Sequence, residues 1–182
     1  MPKPLSVSSE TGNNVLPDDL SLYIGKKTLA KLILEAVDGV DVRGFIAIGV
    51  ASEKVVVRPA MMTTLLAYCY ATGVYGSMDI ELNICRDQMT RYLCARTYPD
   101  IDAIRSFRRD CRLKIKQCLI SVLRRVWELR FCGDEAEPIG GVSYAGASLG
   151  RWAGMRPGPD FSIEAEERIA WAIRADSMAL DV

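Results

Sequence analysis

Ile104, Phe107, Cys111, Ile115, Cys118, Val122 and Val126 recur at steps of three and four between Asp100 and Arg130. That phase predicts an amphipathic helix over 100–130 with one side given to a core. The opposite side is cationic. At about 100° per residue, Arg105, Arg109, Arg112 and Lys116 fall within a sector of roughly 60°. A helix divided in this way needs apolar partners behind it and an anion in front of it.

The formal net charge of zero conceals where the charges are. Residues 86–130 hold twelve Lys/Arg and five Asp/Glu, whereas residues 131–182 hold four and nine. A partner feels the local patch rather than the sum, so a nucleic acid suits the basic segment. The same asymmetry also suits an acidic tail that solvates itself or folds back onto the basic helix. The nucleic-acid expectation therefore requires cations that face outward and are not already bridged to the chain's own carboxylates.

The six cysteines, at 69, 85, 94, 111, 118 and 132, include no C-x-x-C pair, and the chain has no histidine. A zinc site needs clustered Cys and His, and a Ser or Cys nucleophile needs a base, so no metal, cofactor or covalent catalysis is expected. Thiols on apolar helix faces point to a reducing cytoplasm. No signal peptide is read at the N-terminus. Residues 60–78 carry no charge, but threonines, tyrosines and two glycines interrupt them, which predicts a buried core helix rather than a membrane span.

Residues 1–17, rich in Ser, Pro, Asn and Gly, read as a disordered tail. Asp18 or Asp19 is placed to cap a first helix, whose Leu22, Leu29, Ile33 and Val37 run to Asp38-Gly39. Residues 45–57 have strand propensity and predict a short β-hairpin or an extended connector. Arg58-Pro59 opens the next helix, Gly73 and Gly76 break it, and Ser77 is a suitable N-cap for a short helix. Asp87 to Ala95 and the segment from Asp100 onward, joined by Arg96-Thr97-Tyr98-Pro99, have the form of a helix-turn-helix pair. Residues 132–182 form a Gly/Pro-rich acidic extension, irregular until a last helix capped by Ser162, with Ile163, Ile169, Ala170 and Ile173 inward.

The chemistry of such a pair is phosphate contact. A helix N-terminus offers free N–H groups, and arginines reach flanking phosphates or a guanine edge. The candidate DNA-binding residues are Arg105, Arg108, Arg109, Arg112 and Lys116, with Arg91 and Arg96 at the edge. Tyr68, Tyr70, Tyr75 and Tyr92 could stack on bases, though their spacing is that of core or rim residues.

Three segments, in order, carry a family resemblance. Residues 58–81, beginning Arg58-Pro59-Ala60-Met61-Met62, open it, and Arg91-Tyr92-Leu93 follows. The third is Pro99-Asp100-Ile101-Asp102-Ala103-Ile104-Arg105-Ser106-Phe107-Arg108-Arg109. Together they resemble the N-terminal domain of InsH-type bacterial insertion-sequence transposases, whose signature reads Pro-Asp-His-x-Thr-Ile-x-x-Phe-Arg-Arg. The resemblance covers residues 58 to about 130. It implies an all-helical module over 18–131 that helps a transposase bind its terminal inverted repeats.

Two departures shape the expectation. Ile101 and Ala103 stand where the family has His and Thr, so any DNA contact made by those residues is missing. Transposases of this type continue into an RNase H-like domain with three metal-binding carboxylates. Here the corresponding stretch reads Glu137-Pro138-Ile139-Gly140-Gly141, without the expected Asp, and Asp134, Glu135 and Glu137 read as solvated loop charges. The expectation is a mainly α, non-enzymatic protein that binds duplex DNA and has no strand-transfer activity. The alternative is an interaction or homodimerisation module that uses the apolar stripe of the long helix.

Overall fold

The computed structural model describes residues 16–40, 58–95, 97–131 and 158–179. Within them the chain forms eight helices and no strand: α1 (Ser21–Ile24), α2 (Lys26–Gly39), α3 (Pro59–Ala71), α4 (Ser77–Arg86), α5 (Gln88–Leu93), α6 (Ile101–Asp110), α7 (Arg112–Phe131) and α8 (Phe161–Met178). The expected helical bundle is what folds. The hairpin or connector at 45–57, the tail at 1–15, Arg96, and Asp134, Glu135 and Glu137 lie outside the described residues.

The uncharged stretch supplies the central helix. Every residue of α3 from Met61 to Ala71 is buried. Pro59 takes the first turn, where a missing N–H leaves no hydrogen bond unmade. The hydroxyls of Thr63 and Thr64 donate to the carbonyls of Pro59 and Ala60 at 2.9 Å, which lets polar side chains sit inside. Gly73 ends the helix with a φ of 77°, a conformation cheap only for glycine. A Cβ there would meet the Asp18 side chain at 3.4 Å. The incoming chain runs past this turn, and the Leu20 amide donates to the Ala71 carbonyl at 2.8 Å. No helix among the described residues is long and apolar enough to cross a membrane.

The helices around α3 follow the expected punctuation with two breaks added. Gly25, at φ 80°, divides the first helix into α1 and α2. Cys111, at φ −112° and ψ 16°, divides the expected 100–130 helix into α6 and α7. Ile104, Phe107, Cys111, Ile115, Cys118, Val122 and Val126 are nevertheless all buried, so the apolar phase survives the break. Asp100 caps α6 by accepting the Ala103 amide at 2.7 Å. Asp87 caps α5 through the Thr90 amide at 2.9 Å. α5 and α6 both rest on α4.

α8 packs against α7, α4 and α3, and its Ala165, Ile169 and Ala172 belong to the same core as the other helices. Trp127 meets Phe161 edge-on, with centroids 6.5 Å apart. The cap is Asp160, which accepts the amides of Ser162 and Ile163, rather than Ser162 itself. The inward face also differs from the expected one. Ala165, Arg168, Ile169, Ala172 and Asp176 are buried, while Ile163 and Ile173 face out. Two charged residues thus take places that hydropathy alone would give to isoleucine.

Candidate nucleic-acid interface

The arginine face of α6 and α7 is where α8 docks. Arg108 is the most enclosed member, with a side chain only 6% exposed. Its guanidinium donates to the Tyr70 hydroxyl and to Ser77 Oγ, each at 3.2 Å, and to Asp176 Oδ2. Asp176 in turn accepts the Ser77 amide and hydroxyl, both at 2.7 Å. Ser77 is thus the first residue of α4 rather than its expected N-cap, which is Gly76, and its own N–H is capped by the Asp176 carboxylate. Arg105 Nε lies 3.3 Å from the same carboxylate, close enough for an ion pair but not aligned for a hydrogen bond.

Burial alone would raise the Asp176 carboxyl. The Ser77 hydrogen bonds and Arg108 outweigh burial and hold it below the usual carboxylate value. Burial likewise works against the charge on Arg108, and Tyr70 and Asp176 together overcome it. Arg108, Asp176 and Ser77 therefore form a buried, hydrogen-bonded ionic core, beside which Arg105 Nε makes no hydrogen bond. Breaking one side of it would strand the other charge in a dry setting.

A second cluster lies nearer the solvent. Glu166 accepts from Arg112 and lies 3.1 Å from Lys116 Nζ. Hydrogen bonds from Arg112 first, and from Lys116, hold its carboxyl below the ordinary value. The Arg112 side chain remains 44% exposed in this pair. Arg109 is 76% exposed, and its nearest anion is its chain neighbour Asp110. Arg91 donates to the carbonyls of Ile84 and Cys85, so it closes the C-terminal end of α4. Arg96 lies outside the described residues.

The seven expected contact residues thus divide. Arg105, Arg108, Arg112 and Lys116 are brought together, but around two carboxylates of α8, and the requirement of an unneutralised arginine face fails for all four. The signature segment has a structural explanation. Pro99 is buried, Asp100 caps α6, Ile104 and Phe107 are core, and Arg108 holds the buried cluster. Tyr68 and Tyr70 are buried and Tyr75 is half-buried, and Tyr70 lies against Tyr75 with centroids 6.2 Å apart. Among those tyrosines only Tyr92 stands exposed.

Sequence reasoning missed Glu166, Asp176 and Arg168. Arg168 is buried and donates to the carbonyls of Pro17 at 2.7 Å and of Asp18 and Tyr70 at 2.8 Å, with Glu164 on its Nε at 3.0 Å. It ties the N-terminal segment and the end of α3 to α8. The available signal was the opposite charge of the two halves, which names the attraction but not the partners.

Other sites are sparse. Among the described residues no cluster of His, Cys, Asp and Glu could hold a metal ion. Cys69, Cys94, Cys111 and Cys118 are buried thiols. Burial pushes Cys94 and Cys118 up to about 12 and Cys111 to about 11, so they stay protonated and inert. An open groove of about 590 Å³ between α2 and α7, lined in part by Leu32, Gln117, Ser121 and Arg125, shares no residue with the cationic clusters. Comparison of the chain with protein families, with curated proteins and with solved structures finds no match.

Proposed function

We propose that the chain is a DNA-binding module of transposase descent with no strand-transfer chemistry of its own, meeting duplex DNA through exposed Arg109 and, only once Glu166 releases them, through Arg112 and Lys116, which the folded chain otherwise neutralises. Two things support the reading. One is the three-segment resemblance over residues 58 to about 130. The other, which carries the choice of residues, is that Arg112 and Lys116 converge on one accessible carboxylate, Glu166. A phosphate is the same kind of partner for the same cations. An exposed ion pair is worth at most about 1 kcal/mol, so exchanging Glu166 for phosphate is inexpensive. Arg105, Arg108 and Arg91 leave the contact set because the fold uses them.

About three phosphates then replace the larger set that a bare arginine helix would engage. The slope of log K against log salt is expected to be roughly −2 to −3. Gel-shift titration against random duplex and single strands at two salt concentrations tests this. Reversing Arg109, Arg112 and Lys116 together to Glu should abolish the shift with helical content unchanged. Duplex binding that survives the triple change, or none at the lower salt, removes the proposal. Of the stripe on which dimerisation through the long helix would rely, Val126 and Trp127 are buried within the chain and only Leu129 is exposed.

A further inference from the structure

The outward face of α8 carries a pattern that is its own complement. Ile163, Glu167, Ala170, Trp171, Arg174 and Met178 lie within roughly 100° of the helix circumference, opposite the buried Ala165, Ile169 and Ala172. Ile163, Trp171 and Met178 are 58%, 52% and 67% exposed, which is unusual for large apolar side chains aligned on one stripe. Arg174 lies over the Trp171 ring, 4.7 Å from its centroid. Glu164, Glu166, Arg168 and Asp176 are engaged in ion pairs within the chain, whereas Glu167 and Arg174 are in none among the described residues.

We propose that this face binds a second copy of the chain, with the two α8 helices antiparallel about a twofold axis between Ala170 and Trp171. In that register Ile163 meets Met178 of the other copy, Glu167 meets Arg174, and Ala170 meets Trp171. Each contact occurs twice, as an isologous interface demands. The large tryptophan falls against the smallest residue of the stripe, and both charges find opposite partners. A parallel pairing would instead set Glu167 against Glu167, so the charges select the orientation. A pair of 18-residue helices makes a small interface, so the association is reversible rather than obligate. This inference does not rest on the DNA reading.

Sedimentation velocity of the full chain over a wide concentration range tests it, with circular dichroism as the check on folding. Wild type should pass from monomer to dimer. Glu167→Arg and Arg174→Glu should each weaken the dimer about tenfold or more, and Trp171→Ala should do the same. The double variant, with the charges exchanged, should return to within about threefold of wild type. Mixing the two single variants should give a heterodimer, because every 167–174 contact between them is again between opposite charges. A chain that stays monomeric throughout overturns the proposal. So does a dimer indifferent to these changes, or a double variant as weak as the singles.

Discussion

Arg108 on α6 and Asp176 on α8, 68 positions apart, form an ion pair enclosed by Tyr70 and Ser77. Removing the carboxylate leaves a guanidinium with nowhere to go. Asp176→Ala is expected to cost about 3–5 kcal/mol in urea unfolding. The paired change Arg108→Met with Asp176→Leu, which takes away both charges, should recover much of that loss. Equal damage from the single and double changes would mean that packing, not the stranded charge, sets the cost.

Acid should loosen the same contact. Asp176 and Glu166 both have native values below their ordinary 3.8 and 4.5. Their contribution is complete above those values and is lost as pH falls through the lower native ones, because the unfolded chain takes up the protons first. On the alkaline side, buried Cys94, Cys111 and Cys118 ionise in the unfolded chain from about 9 and in the folded chain only near 11 to 12. Stability should therefore decline as pH rises above about 9. Urea midpoints across pH, with Asp176→Asn flattening the acid limb, check both signs.

Glu166→Gln separates competition from support. Arg112 is exposed and Glu166 and Lys116 are half-buried at the surface, so unfolding stability should move by no more than about 1 kcal/mol. Duplex affinity should rise a few-fold, since the neutral amide no longer competes with phosphate. A fall in affinity would show that Glu166 positions the cations rather than occupying them.

Arg168→Met should detach the start of the chain. Its guanidinium holds three carbonyls, and hydrogen bonds from a charged donor are worth about 1.5–3 kcal/mol each when broken in a buried site. Amide exchange at Leu20, which donates to the Ala71 carbonyl, should accelerate more than exchange in the middle of α7. Uniform acceleration throughout would instead indicate global unfolding.

Gly73→Ala and Gly39→Ala make an internal pair. The first forces a side chain into φ 77° and against Asp18 and should cost more than about 1 kcal/mol. The second meets nothing within 4 Å at the end of α2 and should be neutral or stabilising by up to about 1 kcal/mol. Thermal melts of both distinguish backbone conformation from loss of glycine as such.

The local signals were legible where local chemistry decides the outcome. Pro59 at a first turn, Asp100 three residues before the amide it caps, and Gly73 at a helix end all act within a few residues of themselves. The burial of α3 followed from its lack of charge. The break at Cys111 was hidden because the apolar spacing continues across it without a change of phase. The inner face of α8 was misread because Arg168 and Asp176 are buried only by virtue of partners up to 151 positions away. No window of sequence contains both ends of such a bond. The same distance effect turned the arginine face from an open surface into a docking face.

The Ser77 amide, at the first turn of α4, is satisfied by Asp176, 99 positions later. A growing polypeptide therefore leaves that amide to solvent until residue 176 has been made. The contacts that Asp176 makes with Ser77 and Arg108 therefore form after the helices they join have been made.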